Sequence, residues 1–129
     1  FQPSEHIPPG EMPDAEYPFL LSTGRILQHY NVTTPYSKGI SSVWDKEMSE
    51  LNPVDAEKLG VKTGEQVKVT SRRGEAITQV KVTDRVMPGI IWMSFHYSAT
   101  LTNALTSDSL DPITGTGEYK VAAVKIEKI

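Results

Sequence analysis

The sequence predicts one mainly β domain, folded as a barrel, with one clear helix. Five or six runs have the alternating or apolar character of β-strands. One segment, 52–60, has the start and stop signals of a helix. The 129 residues are enough for one domain with a real core and too few for two. Many short strands with few helices are typical of barrels and sandwiches.

The predicted strands follow from the sequence pattern. Residues 18–21 and 90–95 are short apolar runs, as expected of buried strands. Residues 66–71 and 76–83 alternate between apolar and polar positions, and the short glycine-containing turn between them indicates a β-hairpin. Residues 119–126 are predicted to form the last strand.

The helix and the segment before it are predicted separately. Asn52 is a suitable N-cap, and Gly60 provides a C-terminal stop. Residues 38–50 have a poor pattern for a strand. Trp44 and Met48, four positions apart, are predicted to form a short helical face there.

Residues 1–16 contain four prolines and no hydrophobic period. We predict an extended lead-in or interdomain linker for 1–16 and the barrel domain for 17–129. His6 is expected to be exposed. The chain starts without Met or a signal-peptide pattern, which suggests a segment of a longer protein. No apolar run is long enough for a membrane span, so no membrane insertion is expected.

The composition limits the possible functions. The hydrophobic fraction is 38%, the charged fraction is 22% and the formal net charge is −3, which argue for a globular domain and against a general nucleic-acid or membrane-surface binder. The chain has no cysteine, which excludes disulfides, thiolate zinc sites, iron–sulfur clusters and a cysteine nucleophile within it. Cysteine usage does not determine the compartment, which stays open between cytoplasm and periplasm.

Polar groups follow directly on the first strand. Ser22, Thr23, Gly24 and Arg25 provide hydroxyls, backbone N–H groups and a guanidinium, a set that suits a phosphate. For this tetrapeptide alone, a simple turn with a solvated arginine is the favoured reading. Further polar clusters at strand ends shift the balance toward an anionic, heterocycle-bearing ligand. They are His29 after the first strand, His96 with Asn103, and Tyr119 with Lys120.

No catalytic constellation is evident. The sequence shows no nucleophile with its base, no paired carboxylates and no metal-ligand spacing among the three histidines, so we predict no catalytic or metal-binding residue. Asp108 and Asp111 are assigned to turns, and Arg72 and Arg73 to a charged hairpin tip. The polar loop 98–118 has few large apolar anchors, and we expect it to be functional and mobile in the free domain.

A resemblance identifies the ligand. YPFLLSTGR with His29, the segment LNPVDAEKLGV, and the later residues Phe95-His96, Asn103–Thr106, Asp111-Pro112 and Glu118–Lys120 form a colinear set over 17–127. This set resembles the C-terminal molybdopterin-dinucleotide-binding domain of the DMSO reductase superfamily, closest to the formate dehydrogenase catalytic (alpha) subunit.

The resemblance implies a double-psi β-barrel with one or two short helices. It also implies one wall of a cleft for bis(molybdopterin guanine dinucleotide), or bis-MGD, with Mo or W held by preceding domains of the same subunit. The parent would be an oxidoreductase converting formate to CO2, whereas this domain alone would be inactive. The implied pterin and nucleotide contacts are Ser22, Thr23, Gly24, Arg25, His29, His96, Asn103, Tyr119 and Lys120.

Two alternatives stay open at this point. One is the same domain of another superfamily enzyme, such as a nitrate reductase. The other is a cofactor-free β-barrel interaction module. Clustered donors at strand ends favour a cofactor domain over the second alternative.

Overall fold

The computed structural model describes residues 2–3, 5–30, 36–44 and 47–129. Its strands are β1 (Phe19–Gly24), β2 (Met48–Leu51), β3 (Gln66–Thr70), β4 (Glu75–Val82), β5 (Ile90–Ser94) and β6 (Val121–Lys128). Its helices are α1 (Lys38–Ser41), α2 (Pro53–Leu59) and a 3-10 helix (Thr102–Leu105). The mainly β prediction is confirmed.

The six strands close into a barrel in the order β1-β5-β2-β4-β3-β6. Strand pairs β1–β5 and β2–β4 are parallel, and the other neighbours are antiparallel. As a result, β1, β3 and β5 finish at the same end of the barrel at which β2, β4 and β6 begin. We call this end the site end, because every predicted ligand-binding loop leaves or enters there.

The barrel interior is apolar and closed to solvent. Alternate positions of β3 and β4 point inward, as the hairpin pattern predicts. Among the residues that the structure describes, the fully buried large apolar side chains that share this interior are Leu21, Leu51, Val67, Val69, Val80, Ile91, Met93, Leu105 and Val124. Burial of these apolar side chains stabilises the closed barrel.

Helix α2 forms as its caps predict. The Asn52 side chain accepts a hydrogen bond from Val54 N–H at 3.0 Å, and Gly60 ends the helix with φ 65°. Asn52 also donates through Nδ2 to the Val86 carbonyl at 2.7 Å. The cap therefore fixes α2 to the loop before β5. In the described part of the chain, no helix is long and apolar enough to cross a membrane.

The structure differs from the prediction for 38–50. Met48 does not share a helical face with Trp44 but begins β2, which pairs in parallel with β4 and antiparallel with β5. Four residues carry too short a pattern to reveal a strand, and pairing with two neighbours decides the conformation. Residues 45–46, like 31–35 of the stretch after β1, lie outside the described part of the chain.

The loop 98–118 is better anchored than its composition indicates. Leu105 is fully buried in the barrel core, and Thr102 is buried beside it. The 3-10 helix therefore closes the site end of the barrel. The expected scarcity of large apolar anchors does not prevent burial in the first half of the loop, whereas residues 110–116 are exposed.

The lead-in also contacts the barrel. Glu11 and Asp14 form ion pairs with Arg72 and Arg73 at the β3–β4 turn. These arginines are therefore engaged by carboxylates of the same chain. His6 is exposed, as expected.

Candidate functional site

Three predicted ligand-binding segments meet at the site end. Ser22 of β1 is in register with Trp92 of β5 on one side and with Val121 of β6 on the other. The residues that follow β1 and β5 therefore lie beside those that precede β6. These segments are about 70 to 100 residues apart in sequence, and the pairing of the barrel strands brings them together in space.

Two hydrogen bonds fix Tyr119 and Lys120 to the end of β1. The Thr23 hydroxyl donates to the Tyr119 carbonyl at 2.5 Å, and Lys120 Nζ donates to the Thr23 carbonyl at 3.0 Å. Thr23 is buried, whereas Tyr119 and Lys120 are exposed. The Thr23 hydroxyl therefore fixes the backbone at Tyr119, and the Thr23 carbonyl holds the ammonium of Lys120 beside it. The side chains of Tyr119 and Lys120 are both accessible from the solvent.

Two cations lie against one aromatic ring. The guanidinium carbon of Arg25 is 5.6 Å from the Phe95 ring centroid, and Lys120 Nζ is 5.5 Å from it. Arg25 also lies 5.0 Å from the Tyr30 ring centroid. Such cation–π contacts restrain the conformations of long side chains. The arrangement concentrates two positive charges at one exposed place, as binding of a phosphate or diphosphate requires.

The two histidines of the site are buried supports. His96 Nε2 accepts a hydrogen bond from Ile26 N–H at 3.2 Å, which requires that this nitrogen carry no proton. His29 Nε2 lies 2.8 Å from the Trp44 carbonyl oxygen and 2.9 Å from the Tyr97 hydroxyl. Both rings are at most 3% exposed, and their centroids are 5.8 Å apart. They fix the chain that follows β1 rather than presenting themselves to solvent.

The remaining predicted residues have different positions. Ser22 is half-buried within β1, and Asn103 is exposed on the 3-10 helix at the same end of the barrel. A Cβ atom on Gly24 would lie 2.7 Å from Nε1 of Trp92. Gly24 is therefore needed to make room for the Trp92 indole, a reason for glycine that differs from close approach of a phosphate.

Sequence reasoning missed one polar group, Glu47. Its Oε1 accepts hydrogen bonds from the Ser94 hydroxyl at 2.9 Å and the Thr102 hydroxyl at 3.2 Å. Burial raises the pKa of the Glu47 carboxyl, and the hydroxyls of Ser94, Thr100 and Thr102 offset only part of that rise. Glu47 ties the start of β2 to the end of β5 and to the 3-10 helix. No local signal could have revealed these partners.

A groove of about 490 Å³ runs beside this carboxyl along the outside of β2 and β5. Its lining includes Arg25, Trp44, Glu47, Arg85 and Trp92. Arg25 therefore borders both the Phe95 ring and this groove. Among the residues that the structure describes, no three or more His, Asp or Glu side chains lie close enough to hold a metal ion.

A closed barrel with exposed cations at its strand ends defines a domain suited to an anionic ligand. A family model described as "Molydopterin dinucleotide binding domain" matches residues 19–123. The chain belongs to this family. The double-psi β-barrel that the sequence resemblance implied is thereby confirmed together with the observed closed topology.

Several longer proteins are similar to this chain. The F420-dependent formate dehydrogenase 2 subunit alpha of Methanococcus maripaludis is 44% identical over 131 residues, covering 100% of this chain and 19% of that protein. The F420-dependent formate dehydrogenase subunit alpha of Methanocaldococcus jannaschii is 40% identical, covering 98% and 19%. A nitrate reductase of Symbiobacterium thermophilum is 41% identical, covering 95% and 17%. The chain thus spans about a fifth of the length of these relatives.

A solved structure supports the fold. Acetylene hydratase from Pelobacter acetylenicus superposes with a TM-score of 0.76 over 88% of this chain and 18% of that chain. The sequence identity is 19%, so this likeness concerns the fold alone. In that protein, too, the matched barrel is a small part of a longer chain.

Proposed function

We propose that this chain binds the guanine dinucleotide and pterin parts of bis-MGD as the C-terminal domain of a molybdenum or tungsten formate dehydrogenase. The observation that carries the proposal is the placement of Arg25 and Lys120 on one aromatic ring at the site end. Family membership supports the molybdopterin dinucleotide as the ligand. The similarity to formate dehydrogenase alpha subunits supports the parent enzyme.

The donor set fits such a cofactor. A dinucleotide carries a diphosphate, and exposed guanidinium and ammonium groups provide charge-assisted hydrogen bonds to phosphate oxygens. Exposed Tyr119 can pack against a heterocycle, and the Asn103 amide can hydrogen-bond to one. The cofactor would supply the redox chemistry through a metal that other domains ligate. This chain's residues would bind and orient its organic part.

The nine predicted residues divide into two roles. Arg25, Asn103, Tyr119 and Lys120 are exposed and would contact the cofactor directly. The other five are buried or half-buried and would position them, and they are Ser22, Thr23, Gly24, His29 and His96. His96 is the clearest case, because its bond to Ile26 N–H fixes the backbone next to Arg25.

The identity of the longer enzyme is also part of the proposal. Because the chain spans about 19% of its formate dehydrogenase relatives, its partners would be the preceding domains of one catalytic subunit. The nitrate reductase relative, at 41% identity, makes a nitrate reductase domain the second candidate. Formate as the substrate is favoured because three alpha subunits of formate dehydrogenases, at 40–44% identity, match over nearly the whole chain.

The test is cofactor retention in the full-length parent. Arg25→Ala removes a hydrogen bond to a charged group, worth about 1.5–3 kcal/mol, so cofactor binding should weaken roughly 10- to 100-fold. Arg25→Lys should restore only part of it, since an ammonium cannot reproduce the bidentate fork. Guanine nucleotide and metal content of purified variants is measured beside their melting temperatures.

Lys68→Ala provides the matched control. Lys68 is a cation on the same barrel whose ion pair with Glu127 is solvent-exposed, and it should affect neither quantity appreciably. Full cofactor content in Arg25→Ala together with a much lower melting temperature would make Arg25 a structural residue and contradict the proposal.

A further inference from the structure

The lead-in is held to the barrel through a half-buried carboxylate. The Glu11 side chain is 12% exposed. Its carboxylate accepts hydrogen bonds from both terminal nitrogens of Arg73 and, at 2.7 Å, from the Ala123 N–H. It also forms an ion pair with Arg72 at 3.2 Å. A carboxylate with this many donors, two of them from one guanidinium fork, holds a single geometry. The lead-in is therefore fastened both to the β3–β4 turn and to β6.

The contacts of Glu11 lower the pKa of its carboxyl group. Burial alone would raise the pKa of Glu11, but the hydrogen bonds from Arg73 and Ala123 and the charges of both arginines outweigh it. The net pKa is lowered, so the ionised carboxylate is the form that the fold favours. At neutral pH the pair is fully formed.

Arg73 extends the connection to the loop at the site end. Its Nη2 also donates to the Leu105 carbonyl at 3.2 Å. A Cβ atom on Gly74 would lie 2.9 Å from the Ala104 carbonyl oxygen, so the β3–β4 turn touches the 3-10 helix directly. One guanidinium thus joins the lead-in carboxylate to the backbone of a helix that closes the barrel.

A second contact joins the lead-in to the far side of the same loop. Gly10 N–H donates to Glu118 Oε2 at 2.9 Å, next to Tyr119 and Lys120. The lead-in thus contacts the loop directly at Glu118 and is connected to Leu105 through Arg73.

We propose that Arg73 is a positioning residue that couples the lead-in, through Glu11, to the 3-10 helix and thereby orders the loop 98–118. The coupling is a property of this chain and does not need a cofactor. Its effect on ligand binding rests on the proposed function, because the loop carries Asn103 and leads into Tyr119 and Lys120. The lead-in is then an integral part of the domain that sets the shape of its ligand-facing loop.

Arginine is required by the geometry. One planar fork serves two acceptors, the Glu11 carboxylate and the Leu105 carbonyl, which lie in different segments. A lysine ammonium offers a point charge on a flexible stem and cannot hold both in register. Arg73→Lys keeps the charge, so it separates the fork from electrostatics in general.

The experiment uses the 129-residue chain and amide hydrogen exchange followed by NMR. The reporter is the Ala104 N–H, which donates to the Leu101 carbonyl at 2.8 Å within the 3-10 helix. Met93 in β5 reports on the barrel core. Glu11→Gln and Arg73→Lys should each lower protection at Ala104 on the order of tenfold relative to Met93, the loss expected for a hydrogen bond to a charged group. Lys68→Gln, at an exposed ion pair, should lower neither.

The double variant Glu11→Gln/Arg73→Lys should lose little more than either single variant, because both remove one connection. Unchanged protection at Ala104, equal loss at Ala104 and Met93, or additive losses would each overturn the proposal. Glu11→Gln preserves side-chain shape, so it carries the test even where an Arg73 variant fails to fold.

A second readout separates this inference from the proposed function. In the full-length parent, Glu11→Gln should lower retention of the guanine nucleotide, by less than Arg25→Ala does. If exchange at Ala104 responds while Glu11→Gln leaves retention unchanged, the positioning role for the ligand is refuted and the proposed function stands. If Arg25→Ala leaves retention unchanged while exchange still responds, the proposed function fails and the coupling stands.

Discussion

Replacing Leu105 with alanine tests whether the loop at the site end belongs to the folded core. Leu105 is fully buried and packs in the barrel interior although it lies on a short 3-10 helix within a long polar loop. Truncating a buried leucine to alanine costs about 2.7–5 kcal/mol, depending on how far the surroundings collapse into the cavity.

The structure indicates a cost in the upper half of that range. The 3-10 helix is held from two sides, by Arg73 at the Leu105 carbonyl and by Glu47 at the Thr102 hydroxyl. A backbone anchored in this way cannot sink into the space that the leucine leaves. Since small domains have about 5–15 kcal/mol of stability in total, the loss should amount to about a quarter or more of it.

The assay is equilibrium unfolding in urea, followed by far-UV circular dichroism of the 129-residue chain. Leu110→Ala is the matched control, because Leu110 lies in the same loop but is 64% exposed. The control should stay within about 0.5 kcal/mol of the original chain. Equal midpoints for the original chain and Leu105→Ala would refute the reasoning and show that the loop contributes nothing to the core.

Two further predictions concern Glu47 and Asn52. Because burial raises the folded-state pKa of Glu47, its contribution is fully present below the ordinary pKa of glutamate and is lost as pH rises through the folded pKa. The melting temperature of Glu47→Gln should therefore rise relative to that of the original chain as pH increases above the ordinary glutamate pKa of about 4.3. Parallel curves of melting temperature against pH would contradict this. Asn52→Ala removes the α2 cap and the bond to Val86 and should cost about 1–2 kcal/mol in urea unfolding. Asn52→Asp should lose less, because the cap acceptor is retained; equal losses would contradict the capping role.

The sequence predicts part of the candidate site, because local chemistry at strand ends is visible in it. The structure places Arg25 and Lys120 at the site end, where both are exposed; their role as ligand cations stays a prediction. The supporting role of His29 and His96 could not be read. Burial of an imidazole depends on which backbone groups the fold places against it, here Ile26 N–H and the Trp44 carbonyl.

Sequence by itself determined the elements whose signals are local. The hairpin β3–β4 follows from two alternating runs and a turn, and α2 follows from Asn52 and Gly60 at its ends. The family resemblance, carried by motifs in order along the chain, determined the barrel type and the class of ligand. These features depend on residues close to one another in the chain or on their colinear pattern.

Only the tertiary structure decided the features that depend on distant partners. The strand β2 exists because β4 and β5 pair with it on both sides. Leu105 is a core residue because the loop folds back over the open end of the barrel. Glu11 joins the barrel because Arg73, 62 positions away, offers a matching fork. In each case the stabilising group is far away in sequence. The conformation is selected by long-range contacts, which a local sequence pattern does not show.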